Sequence, residues 1–176
     1  MQNTPKAKPV NFELIDKSFY PEPYQILAEA LEEHKDLSEA EIGLAWRKNW
    51  TADTDGKIIL GKCVKVSDLQ REFADYDFVI VLNKEIWQAQ DWGHDKQLAL
   101  MDHELCHATV ATDEFGDTKY NERDRPVFRI RKHDIEEFHE IVDRHSCYKA
   151  DLEQFAKTLM EHPGLFDRTE AEKAVA

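Results

Sequence analysis

His103-Glu104-Leu105-Cys106-His107 have the residue types and spacing to hold a metal ion and use it. On a helix, side chains four positions apart lie about 40° from one another around the axis, one turn above the other. Two imidazoles placed this way can meet one Zn²⁺ at about 2.0–2.1 Å each. Glu104 is rotated by about 100° from His103, so it reaches a water on the ion rather than the ion itself. As a general base it can take that water's proton and later pass it to a leaving amine. The ion would lower the pKa of the water and polarise a scissile carbonyl, so hydrolysis needs no covalent intermediate. The bland reading is a surface helix with two histidines and a Glu104–His107 contact. The apolar residues on both sides of the helix favour the metal, because such a helix lies between a core and a cleft.

A catalytic zinc site has three protein ligands and one open position. The candidates for the third ligand cluster in Lys132-His133-Asp134-Ile135-Glu136-Glu137-Phe138-His139. His133 follows His107 by 26 positions and stands just ahead of an expected helix, so it can approach from a loop end. Glu137 lies on the same side, but a capping role competes for it. His139 borders the opposite margin of that helix's apolar face. His145 reads as a core histidine, and His34, His94 and His162 read as surface residues. Cys106 fits better as a small packed residue than as a ligand or nucleophile. Tyr120, between the motif and the third ligand, could donate to a developing oxyanion, against the simpler reading of an exposed hairpin tyrosine. Trp46, Trp50, Trp87 and Trp92 are expected to pack a sheet against helices, with Trp87 or Trp92 at the border of the cleft.

The elements that must position these residues can be read from periodicity. Leu98, Met101, Leu105 and Ala108 form one stripe, which predicts a helix over Asp95–Val110. Ile26, Leu27, Ala30 and Leu31 predict a helix over Tyr24–His34. Ile42–Trp50 and Lys57–Val66 read as strands joined in a hairpin through Asp55-Gly56. Ser67–Ala74 reads as a short helix and Asp77–Asn83 (DFVIVLN) as the clearest strand. That strand is buried on both faces or lies beside the site; if it forms an edge, an extended peptide could add to it. Two strand-like pieces lie around Lys119-Tyr120 and Val127–Ile130. Asp134–His145 is expected to be a helix capped by Asp134 and Glu137, with Phe138 facing inward. Asp151–Met160 predicts a last helix. The class is α+β: a small mixed sheet of about three to five strands packed on the motif helix and further helices.

Length and composition bound the rest. With 176 residues, the chain is expected to form a single domain over residues 11–162, between a flexible arm (1–10) and an acidic mobile tail (163–176). The formal net charge of −13 disfavours direct binding to nucleic-acid phosphates. No apolar run is long enough to span a membrane, and Met1–Pro9 lacks the apolar segment of a secretory signal. Cys63, Cys106 and Cys147 give no disulfide framework, so the expected compartment is cytoplasmic.

DHELCHA (Asp102–Ala108) followed by HDIEEF (His133–Phe138) resembles the SprT-like metallopeptidases. A closer similarity is to the phage and prophage metallopeptidase family, in which LGK (Leu60–Lys62), SDLQREF (Ser67–Phe73), DFVIVLN, HELCHA and HDIEEF recur in this order. The resemblance implies a minimal zincin-like fold and one catalytic zinc ion. It also implies His103, His107 and His133 as ligands, Glu104 as base, and a peptide or protein substrate, in a bacterial host cell if the chain is phage-encoded. SprT relatives that cut proteins on DNA carry basic segments or a cysteine zinc ribbon; neither is present here, so their substrates are not implied. Two other readings compete: a non-catalytic module braced by zinc, and a phage accessory protein that docks a host protein.

Overall fold

The computed structural model describes residues 11–162. The expected arm (1–10) and tail (163–176) lie outside the described residues. The chain divides between Arg131 and Lys132 into two compact units. The first contains β1 (Phe12–Leu14), α1 (Pro21–Ala30), a 3-10 turn (Lys35–Leu37), β2 (Ile42–Arg47), β3 (Gly61–Lys65), α2 (Asp68–Arg71) and β4 (Phe78–Asn83). It continues with α3 (Lys84–Trp87), α4 (His94–His107), β5 (Ala108–Val110) and β6 (Phe128–Ile130). The class is α+β, as expected.

The main sheet has the order β1-β2-β4-β3. β2 and β4 are parallel, with Leu44 opposite Ile80 and Trp46 opposite Leu82; β3 runs antiparallel to β4, with Cys63 opposite Ile80. This corrects the expected hairpin, because β2 and β3 do not pair. The Asp55-Gly56 turn does form: Asp53 Oδ1 accepts from the amides of Asp55 and Lys57, and Gly56 has φ +79°. It simply lies in a long connection that carries the chain past β4. Burial explains the order. β4 is apolar almost throughout, which suits a central strand covered on both faces. In β3 only Cys63 is buried, and the exposed Lys62 and Lys65 suit an edge. The idea that DFVIVLN offers an edge to a peptide is therefore overturned; β1 and β3 are the outer strands.

The core joins Ile26, Leu27 and Ala30 of α1, Leu44 and Trp46 of β2, Phe78, Ile80 and Leu82 of β4, and Met101 and Leu105 of α4. Burying each large side chain contributes about 1.5–3 kcal/mol. Trp46 meets Tyr20 and Trp87 edge to face, with centroids 6.0 and 6.2 Å away.

Two details of α4 differ from the periodic reading. Its buried stripe is Gln97, Leu100, Met101, Glu104 and Leu105, so Glu104 lies on the core face and Leu98 at its margin. The helix also ends at His107 rather than Val110. Ala108 turns to φ −85° and ψ 131°, and Ala108–Val110 pair with Phe128–Ile130 in a two-stranded ribbon. Thr109 and Val110 are β-branched, which favours the strand.

In the second unit, α5 spans His139–His145 and α6 Ala150–Glu161. The helix expected from Asp134 starts five residues later, and the Asp134–Glu137 capping box does not form. Glu137 turns instead to the Tyr148 hydroxyl at 2.5 Å, Lys149 Nζ at 2.7 Å and the Phe138 amide at 2.9 Å. Phe138 is extended and 74% exposed rather than inward, and His145 is exposed rather than in a core. Among the described residues no helix is long and apolar enough to cross a membrane.

Candidate metal centre

The last two turns of α4 carry the motif. His103 and His107 stand edge to face with ring centroids 5.1 Å apart, the stacking expected at i and i+4. The ring of His107 is fixed from behind. Its Nδ1 lies 2.8 Å from the carbonyl oxygen of Arg131, and the Arg131 amide donates to the His107 carbonyl at 2.7 Å. A carbonyl only accepts, so Nδ1 donates to it, and Nε2 is the nitrogen that would face a metal. Backbone-oriented imidazoles of this kind are what metal sites use. The donor set therefore fits a borderline-soft divalent ion.

Glu104 is 4% exposed. Burial pushes its carboxyl pKa up; the neighbouring His107 and the amide of Cys63 pull against that rise. Beneath it, burial and the Glu104 charge push the Cys63 thiol up to about 12. The carboxylate can lie this close to β3 because residue 61 is glycine. A Cβ there would stand 2.7 Å from Glu104 Oε1, closer than carbon and oxygen tolerate. Gly61 is thus a site residue that reasoning from ligand types missed. The signal was available, since a glycine inside a strand pattern marks a close approach.

A cavity of about 450 Å³ is lined by His103 and Glu104 together with Leu60, Gly61, Trp92, Lys96, Ala99 and Leu100. Of the two tryptophans expected near a cleft, Trp92 borders this one. Trp87 lines a second cavity of about 400 Å³ with Trp46, and Trp92 borders that one as well. Tyr120 is 55% exposed and bridges Pro126 through its backbone; it is not among the residues lining the cavity at His103. Cys106 is exposed rather than packed. His34 is not a plain surface residue: its side chain is 12% exposed and meets Asp102. His133, Glu137 and His139 belong to the second unit. There Glu137 is held by Lys149, Tyr148 and the Phe138 amide, which depress its carboxyl to about 2, and His139 opens α5, exposed.

A helix bearing paired imidazoles and a buried carboxylate, set beside an outer strand of a mixed sheet, brings together donors that could hold a metal ion and a group that could act as a base. The chain matches the model of the putative phage metallopeptidase family over residues 12–160 and belongs to that family. No curated protein and no solved structure gives a match.

Proposed function

We propose that the chain is a zinc peptidase that hydrolyses peptide bonds, with Glu104 as general base and His103, His107 and His133 holding one zinc ion. The observation that carries this reading is the burial of Glu104 without a lysine or arginine partner among the described residues, beside His103 and the backbone-held ring of His107. When bound, the ion supplies Lewis acidity, activating water and polarising a carbonyl. Glu104 takes the proton of the attacking water as the C–O bond forms. It then delivers that proton to the amide nitrogen as the C–N bond breaks. Burial favours the protonated form of this carboxyl, which helps it hold the proton between the two transfers.

Chain connectivity supports His133 as third ligand. Arg131 is bonded to His107 through both its amide and its carbonyl. Two Cα steps of about 3.8 Å keep the His133 Cα within about 7.6 Å of that of Arg131, so the chain cannot carry this residue far from the motif helix. Glu137 and His139 are further along the chain, and the carboxylate of Glu137 is already committed to Lys149 and Tyr148. Tyr120 remains a proposed oxyanion donor, by virtue of its place between the motif and His133. The substrate reading is an extended peptide along β3, which is the outer strand beside Glu104, with a bulky apolar side chain in the Trp92–Leu100 cavity. Cysteines present as thiols support action in a reducing host cytoplasm.

The test is Glu104→Gln in the zinc-loaded chain, assayed on a library of unstructured peptides. We expect kcat to fall by about 10²–10⁴-fold at unchanged zinc content. Undiminished turnover would overturn the mechanism, and loss of zinc would reassign Glu104 to holding the ion.

A further inference from the structure

Helix α4 carries a second pair of ligand-type side chains, one position behind the first. Asp102 and Cys106 are i and i+4, as are His103 and His107, so they share a neighbouring face of the helix. A third side chain reaches that face from elsewhere in the same unit. His34, in the turn after α1, places Nε2 2.7 Å from Asp102 Oδ1. One donor atom each from His34, Asp102 and Cys106 lies within 4.8 Å of the others. The Asp102 side chain is 51% exposed and Cys106 is an exposed thiol, so the trio is open to solvent. The peptidase mechanism uses none of the three.

We propose that His34, Asp102 and Cys106 form a second zinc site, which ties the turn after α1 to α4. An imidazole nitrogen, a carboxylate oxygen and a thiolate sulfur are the donors zinc takes, and the exposed side leaves a fourth position for water. The two negative ligands neutralise the ion. Tetrahedral ligands at about 2.0–2.2 Å stand about 3.4 Å apart, so the His34–Asp102 pair has only to open slightly to admit it. A plain tether between α1 and α4 would account for the His34–Asp102 bond; Thr109 already makes a similar one to Asp36 at 3.1 Å. A tether does not account for Cys106 one turn along, with its sulfur within 4.8 Å of a donor atom of each of the other two.

Cobalt(II) titration of the full chain separates this site from the histidine site, because only a thiolate ligand gives a sulfur-to-cobalt charge-transfer band in the near ultraviolet. We expect the band in the wild type and in His103→Ala, and its loss in Cys106→Ser. Asp102→Asn keeps an acceptor for His34 but loses the anionic ligand. It should weaken cobalt binding at the band by about tenfold or more, whereas a mere tether would leave it unchanged. Absence of the band in the wild type, or its persistence in Cys106→Ser, overturns the proposal and leaves the peptidase reading untouched. Loss of turnover in Glu104→Gln with the band intact tests that reading separately.

Discussion

Two carboxylates are buried in the first unit, and they are treated in opposite ways. Asp77 is 2% exposed and Glu104 4%. Asp77 is fully compensated: Arg71 bonds one oxygen, and Arg125 at 3.3 Å and the Glu41 amide at 2.9 Å bond the other. Glu104 has the Cys63 amide and the field of His107, and no lysine or arginine pairs with it among the described residues. A buried charge that is paired on every side fixes structure. One left under-compensated keeps free energy in reserve for whatever binds next to it. The contrast separates a residue that holds the end of β4 in place from one that awaits a cation and a proton.

Substitutions can break this contrast or sharpen it. The largest effect is the Glu104→Gln loss of turnover described above, with stability held or raised, since a neutral amide is cheaper to bury. Gly61→Ala comes next. The added methyl must displace the Glu104 carboxylate, and a shift of that order costs about 10²-fold in kcat. Steady-state kinetics with zinc content as control checks it, and wild-type kcat would mean the close approach at Gly61 is unimportant. Asp77→Ala should do the reverse, lowering stability by about 2–3 kcal/mol in urea melts while the zinc-loaded folded enzyme keeps most of its turnover.

The smallest effect is a pH signature in the second unit. Lys149, then Tyr148 and the Phe138 amide, hold the Glu137 carboxyl at about 2 rather than 4.5. A depressed acid binds fewer protons folded than unfolded. Its stabilisation is therefore complete above 4.5 and fades as pH falls from there towards 2. A carboxyl ¹³C titration should give Glu137 a midpoint near the lower value, moving up in Lys149→Met; an ordinary midpoint would contradict the ion pair.

The sequence made some of this legible because some signals are local. HExxH encodes its own geometry, DFVIVLN encodes a buried strand, and Ser67–Ala74 encodes a short helix, seen as α2. The errors came where tertiary context decides. Nothing local to Asp55-Gly56 says that β4 will insert between β2 and β3. The stripe on α4 looked centred on Leu98 and Met101 because a glutamate was not counted as a core residue, yet burial of Glu104 is the point of the site. The Asp134–Glu137 capping box was a sound local pattern that lost to Lys149 and Tyr148, which only the fold brings within reach of Glu137.

The most direct test of the central claim is elemental analysis of zinc in two purified proteins that both lack the second thiolate site: Cys106→Ser, and Cys106→Ser with His107→Ala. The account predicts one zinc per chain in the first and none in the second. Equal zinc in both would show that the paired imidazoles of α4 do not hold the metal.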